Sequence, residues 1–125
     1  GFTLSSLQGQ YVMIEFWASW CPDCQKETEN IKRLYTTYAP LGVVFIGVSF
    51  DTDKEQWQQY IHDNGLDWIQ YSELKPWKES TLSTAYNVKW IPTLYLIDKE
   101  GRVVQGTVDV NAMDTLLASL NLNGQ

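Results

Sequence analysis

The two cysteines of this 125-residue chain, Cys21 and Cys24, stand three positions apart in Trp17-Ala18-Ser19-Trp20-Cys21-Pro22-Asp23-Cys24. A Cys-x-x-Cys pair where a strand gives way to a helix is the sequence form of a dithiol that opens and closes, and its chemistry is thiol–disulfide exchange. A structural staple is a weaker reading. Bridging Cys21 to Cys24 closes a four-residue ring worth about 2 kcal/mol, whereas a loop of about a hundred residues gives more than 4. Zinc wants four soft or imidazole ligands, and beyond the two thiols only His62 is available, far along the chain in a different predicted helix. The expectation is therefore no metal and no cofactor other than the redox-active disulfide itself.

The flanking segments supply the elements such a dithiol needs. Tyr11 to Trp17 is apolar on both alternating faces except at Glu15, which suits a central strand covered on two sides. Cys21 then occupies an N-cap position, Pro22 the first helical position, where proline is best tolerated, and Asp23 the first turn, where acids favour the dipole. The stripe Thr28, Ile31, Leu34, Tyr35 and Tyr38 continues that helix. Val43 to Ser49 is rich in β-branched residues and follows a helix, so it pairs in parallel with the first strand. Thr52-Asp53-Lys54-Glu55 has the form of a capping box for a helix closed by Asn64-Gly65, with His62 on its surface. Trp68, Ile69 and Tyr71 form a short edge strand, and Ser80 or Thr81 caps a short helix. Leu94 to Ile97 turns through Asp98-Lys99-Glu100-Gly101 into an antiparallel strand over Val103 to Val108, and Asn111 caps a last helix carrying Met113, Leu116, Leu117 and Leu120.

Length and a hydrophobic content of 44% indicate one domain over 1–125 with a real core. A net charge of −6 argues against nucleic acid, whose binding rests on Lys and Arg displacing counterions. No window is apolar for long enough to cross a bilayer. The start at Gly1-Phe2 suggests a segment excised from a longer exported or anchored protein.

The order β-α-β, helix, β-β-α, with Trp17-x-x-Trp20-Cys21-x-x-Cys24 after the first strand and Ile91-Pro92-Thr93 before a later one, resembles the thioredoxin superfamily over nearly the whole chain. Phe2-x-Leu4, Phe16-Trp17-Ala18-Ser19-Trp20-Cys21, the helix after Val48-Ser49-Phe50-Asp51, Tyr86-x-Val88-x-x-Ile91-Pro92-Thr93 and Ile97-Asp98-x-x-Gly101 are similar to its TlpA/ResA branch. The resemblance implies an α/β, thioredoxin-like fold: a mixed central sheet flanked by helices, with an extra N-terminal strand or hairpin and a helical insertion in the β-α-β half. It further implies a thiol-disulfide oxidoreductase, bacterial and periplasmic or membrane-tethered, monomeric, and serving protein disulfides or cytochrome c maturation. Its partners would be a disulfide-containing protein substrate and an upstream thiol donor.

Within that resemblance Cys21 is the nucleophile and Cys24 the resolving thiol. Glu15 stands where relatives bury an acid behind the cysteines and is the expected general base. Pro92 matches the family's cis-proline, and Trp20, Pro22, Trp90 and Ile91 join it around the substrate. Three departures follow: Glu29 replaces a helix-kinking proline, Trp90 a glycine beside the groove, and Gly47 a lysine that would partner the acid. Two other functions remain. A thiol peroxidase needs an Arg near its cysteine, and the chain has only Arg33 and Arg102. A non-catalytic interaction module would use the cysteines for recognition without turnover.

Overall fold

The computed structural model describes residues 9–120. The strands are β1 (Val12–Trp17), β2 (Val44–Ser49), β3 (Ile69–Ser72), β4 (Thr93–Ile97) and β5 (Val103–Thr107). The α-helices are α1 (Pro22–Tyr38), α2 (Lys54–Asn64), α3 (Thr81–Ala85) and α4 (Val110–Ala118), with single 3-10 turns at Ala39–Leu41 and Trp77–Glu79. The strands form one mixed sheet in the order β3-β2-β1-β4-β5. β1 runs parallel to β2 and β2 parallel to β3, while β4 is antiparallel to both β1 and β5.

β1 lies at the centre because its residues are apolar on both faces. Met13 and Trp17 join one core with Ile31 and Leu34 of α1, Trp57 and Tyr60 of α2, and Met113 and Leu117 of α4. Val12, Ile14 and Phe16 join a second core with Ile46 and Val48 of β2, with Leu82 of α3, and with Phe50 and Trp77. The sheet is thus covered on both sides, as a parallel β-α-β unit requires. The expected helical insertion is α2, and it brings an edge strand with it: β3 extends the sheet beyond β2. The N-terminal strand or hairpin expected around Phe2 and Leu4 lies outside the described residues.

Two helix starts differ from the sequence expectation. α2 is capped by Asp53, not Thr52, its carboxylate accepting the Gln56 N–H at 3.1 Å. α4 is capped by Asp109, two residues before Asn111, and accepts the Asn111 N–H at 2.9 Å. Asp109 wins because Thr107 Oγ1 accepts its own N–H at 3.0 Å and turns the chain there. Ser80 caps α3, and Gly65 closes α2 at φ 62°, a left-handed conformation that glycine adopts without a Cβ clash.

Candidate active site

The dithiol sits at the C-terminal end of β1, where α1 begins. Cys21 is the N-cap in extended conformation, and its Sγ accepts the Cys24 N–H at 3.1 Å. Helix N-termini leave such N–H groups without intrahelical partners and carry positive dipole character, and the Cys21 sulfur is the acceptor placed there. Both cysteines are free thiols. Cys21 is 5% exposed and Cys24 2%, so Cys24 is the more enclosed of two sheltered groups. Across from them the Ile91–Pro92 peptide is cis, and the Cys21 thiol donates to the Ile91 carbonyl at 3.7 Å.

Glu15 lies in mid-β1 and is buried. Burial, first, and then the charge of Glu27 push its carboxyl up from 4.5 to about 8. Burial raises the Cys24 thiol most, followed by its hydrogen bond with Cys21 and then the charges of Cys21 and Glu15. Tyr60 of α2 closes the space beside them, packing on Trp17 at 5.4 Å between ring centres. Its hydroxyl pairs with Thr28 Oγ1 at 2.6 Å, and Thr28 donates to the Cys24 carbonyl at 3.2 Å. Burial raises the Tyr60 hydroxyl above its ordinary 10.

The absent lysine has a structural reason. Gly47 is the β2 partner of Glu15, and Gln70 is the β3 partner of Gly47, so the three stand in one row across the sheet. The Gln70 side chain lies over Gly47: a Cβ there would come 2.3 Å from Gln70 Oε1 and 3.0 Å from Trp17 Nε1. No side chain fits at position 47 without displacing Gln70. Both polar atoms of the Gln70 amide and the Trp17 indole nitrogen are buried without a protein partner among the described residues. Gln70 was not legible as part of the site, because a lone amide in an edge strand reads as solvent-facing.

The remaining sequence candidates lie at or near the surface around the dithiol. Trp20 is 50% exposed and Trp90 63%, with Pro22 at the surface at the start of α1. Trp90, Ile91, Pro92 and Val108 face Lys26 and Glu27 across a groove of about 460 Å³. Trp90 is part of the groove's lining. His62 is exposed beside Asp63 and takes no part. Among the described residues no group of three or more His, Cys, Asp or Glu is arranged to hold a metal ion, and no helix is long and apolar enough to cross a membrane.

Residues 9–103 match a family model described as thioredoxin-like. The chain is 34% identical over 110 residues to mouse nucleoredoxin, covering 85% of this chain and 25% of that protein. It is 30% identical over 120 residues to the thiol-disulfide oxidoreductase ResA of Geobacillus kaustophilus, covering 94% of this chain and 67% of the relative. The fold superimposes on a thiol-disulfide oxidoreductase from Bacteroides fragilis with a TM-score of 0.82 and 26% identity, over 89% of this chain and 81% of that one. The chain spans between a quarter and about two thirds of the curated relatives it matches.

Proposed function

The chain belongs to the thioredoxin-like family, ResA-like within it, and on that premise we propose that it is a thiol-disulfide oxidoreductase that reduces protein disulfides through Cys21 and Cys24. The observation that carries this reading is the Cys21 sulfur held at 3.1 Å by the Cys24 N–H at a helix N-terminus, with Glu15 buried behind it. Cys21 as thiolate attacks one substrate sulfur. The substrate S–S bond breaks, the departing sulfur takes a proton, and a mixed disulfide remains. Cys24 then loses its proton to Glu15 and attacks Cys21 Sγ, which breaks the mixed disulfide and releases the second substrate thiol. Two electrons have passed to the substrate, and an upstream dithiol must return them to Cys21–Cys24.

Trp20, Pro22, Trp90, Ile91 and Pro92 form the surface against which an extended substrate segment lies. We assign the domain to the extracytoplasmic side of a bacterial membrane, as part of a tethered chain, with a partner of the cytochrome c maturation type among its substrates. The ResA-like sequence supports that assignment; fractionation of the full-length protein tests it.

The peroxidase reading loses support from the arginines. Arg33 lies nine residues beyond Cys24 along α1, about 13 Å at 1.5 Å per residue, and Arg102 sits at the β4–β5 turn. Insulin reduction by dithiothreitol separates the alternatives. Acceleration by the wild type that disappears in both Cys21→Ser and Cys24→Ser supports the oxidoreductase. Equal rates with and without protein support a binding module, and rapid turnover of peroxide supports the peroxidase.

A further inference from the structure

A second carboxylate, which the dithiol chemistry above does not use, is buried beside the same loop. Asp51, 1% exposed, follows the end of β2. Its Oδ2 accepts the Ser19 N–H at 3.0 Å, its Oδ1 accepts the Ser19 hydroxyl at 2.5 Å, and the Ser49 hydroxyl also donates to Oδ2. Ser49 Oγ accepts the Asp51 N–H at 2.8 Å in return. The Ser72 hydroxyl, at the end of β3, donates to the Ser49 carbonyl at 3.0 Å and to the Asp51 carbonyl at 3.4 Å. One side-chain network therefore ties together the chain leaving β1, β2 and β3 at their C-terminal ends.

Ser19 is the residue that this network grips, and it lies two positions before Cys21. Its N–H is held by Asp51 and its carbonyl accepts Gln25 Nε2 of α1 at 2.7 Å, so both of its backbone polar groups are fixed by side chains. The next peptides carry Trp20 and Cys21, and the Cys21 N–H turns back to Ala18 at 3.2 Å. A carboxylate accepts hydrogen bonds only, which matches three donors converging on two oxygens; an amide in its place holds the Ser19 N–H with a neutral oxygen and sets its own N–H where the Ser19 hydroxyl donated, so that hydroxyl must reverse.

We propose that Asp51 is a positioning residue of the dithiol: by fixing the Ser19 peptide it holds Cys21 Sγ on the Cys24 N–H. This rests on Cys21 and Cys24 forming the working couple, and the test reads that couple directly, without a substrate. Losing the grip weakens the bond that favours the reduced, anionic sulfur.

The experiment measures the reduction potential of purified wild type, Asp51→Asn and Ser19→Ala in glutathione buffers, with urea unfolding of each reduced protein alongside. Asp51→Asn and Ser19→Ala are both expected to shift the equilibrium about threefold toward the disulfide, a potential about 14 mV more negative. Potentials equal to wild type in both, with only stability lowered, overturn the proposal and leave Asp51 a fold-holding residue. A more positive potential in Asp51→Asn with none in Ser19→Ala overturns it in favour of a through-space charge effect. Should Asp51→Asn not fold, Ser19→Ala decides alone: a more negative potential supports positioning, and an unchanged one refutes it. If the wild type fails to reduce insulin while these potentials shift as expected, the oxidoreductase reading fails and the positioning role stands.

Discussion

Replacing Glu15 by Gln tests what the buried acid costs the fold. Burial and the charge of Glu27 carry its carboxyl from 4.5 to about 8. Between those values the folded chain keeps a proton on Glu15 that the unfolded chain has released. The unfolded state then binds fewer protons, so stability falls as pH rises through this interval. The cost is absent below 4.5 and complete above about 8. Each pH unit within it corresponds to about 1.4 kcal/mol, so at pH 7 the ionisable acid costs about 3 kcal/mol. Glutamine has nearly the same shape and never ionises. Glu15→Gln should match wild type near pH 4.5, exceed its stability by about 3 kcal/mol at pH 7, and gain a little more by about 8. Urea unfolding of the reduced proteins across that range measures it, with the slope m expected to be unchanged. A stability difference that is constant with pH refutes the reasoning, because it removes the proton from the account. The same variant should lose about a hundredfold in insulin reduction, the usual worth of a positioned base. The wild-type rate should rise with pH through about 8, and that rise should be missing in the variant.

Four further outcomes follow from the geometry. Gln70→Met replaces a buried amide with no partner among the described residues and should stabilise the fold by about 1 kcal/mol in urea; a loss of stability would show that the amide is satisfied. Trp90→Ala, at an exposed groove wall, should change stability by less than about 0.5 kcal/mol and raise KM for a protein disulfide while leaving kcat in place; an unchanged KM removes Trp90 from the substrate surface. Ser80→Ala removes the cap of α3, whose hydroxyl accepts the Ser83 N–H at 3.1 Å, and should cost about 1 kcal/mol on thermal unfolding. Cys21→Ala removes both the hydrogen bond and the charge by which Cys21 raises Cys24, so alkylation of Cys24 should begin at lower pH than in wild type; an unshifted profile would leave burial and the charge of Glu15 as the causes.

The residues that made the fold legible are those whose local pattern and tertiary place agree. β1 reads as a central strand because six consecutive residues, Glu15 included, are all buried, and α1 reads from Cys21 onward because cap, proline and acid coincide there. The caps of α2 and α4 were misplaced because Thr52 and Asp53, or Asp109 and Asn111, are all competent cap residues, and the path of the incoming chain chooses between them. Gln70 and Asp51 escaped for a different reason. Each acts through a partner distant in sequence: Gln70 through strand register with Gly47, Asp51 through Ser19 thirty-two positions earlier. No local spacing encodes such a meeting.

The row Glu15–Gly47–Gln70 also bears on the order of events at the dithiol. A lysine beside Glu15 would favour the carboxylate, whereas a neutral amide leaves burial and Glu27 to keep it protonated near neutrality. In the resting dithiol the Cys24 thiol is held far above its ordinary range, first by burial and then by its hydrogen bond with Cys21 and by the charges of Cys21 and Glu15. Cys24 is therefore a poor nucleophile while Cys21 is free, which prevents the thiols from competing for the same substrate sulfur. Once Cys21 is tied up in a mixed disulfide, it carries no charge and no longer holds the hydrogen bond of a thiolate. Two of the influences that suppressed Cys24 then disappear at the step that needs it, and in the proposed mechanism Glu15 accepts the proton once it is itself ionised, increasingly so as pH rises toward about 8. In the proposed mechanism the attack by Cys21 thus favours its own resolution, with burial and the charge of Glu15 still holding the Cys24 proton.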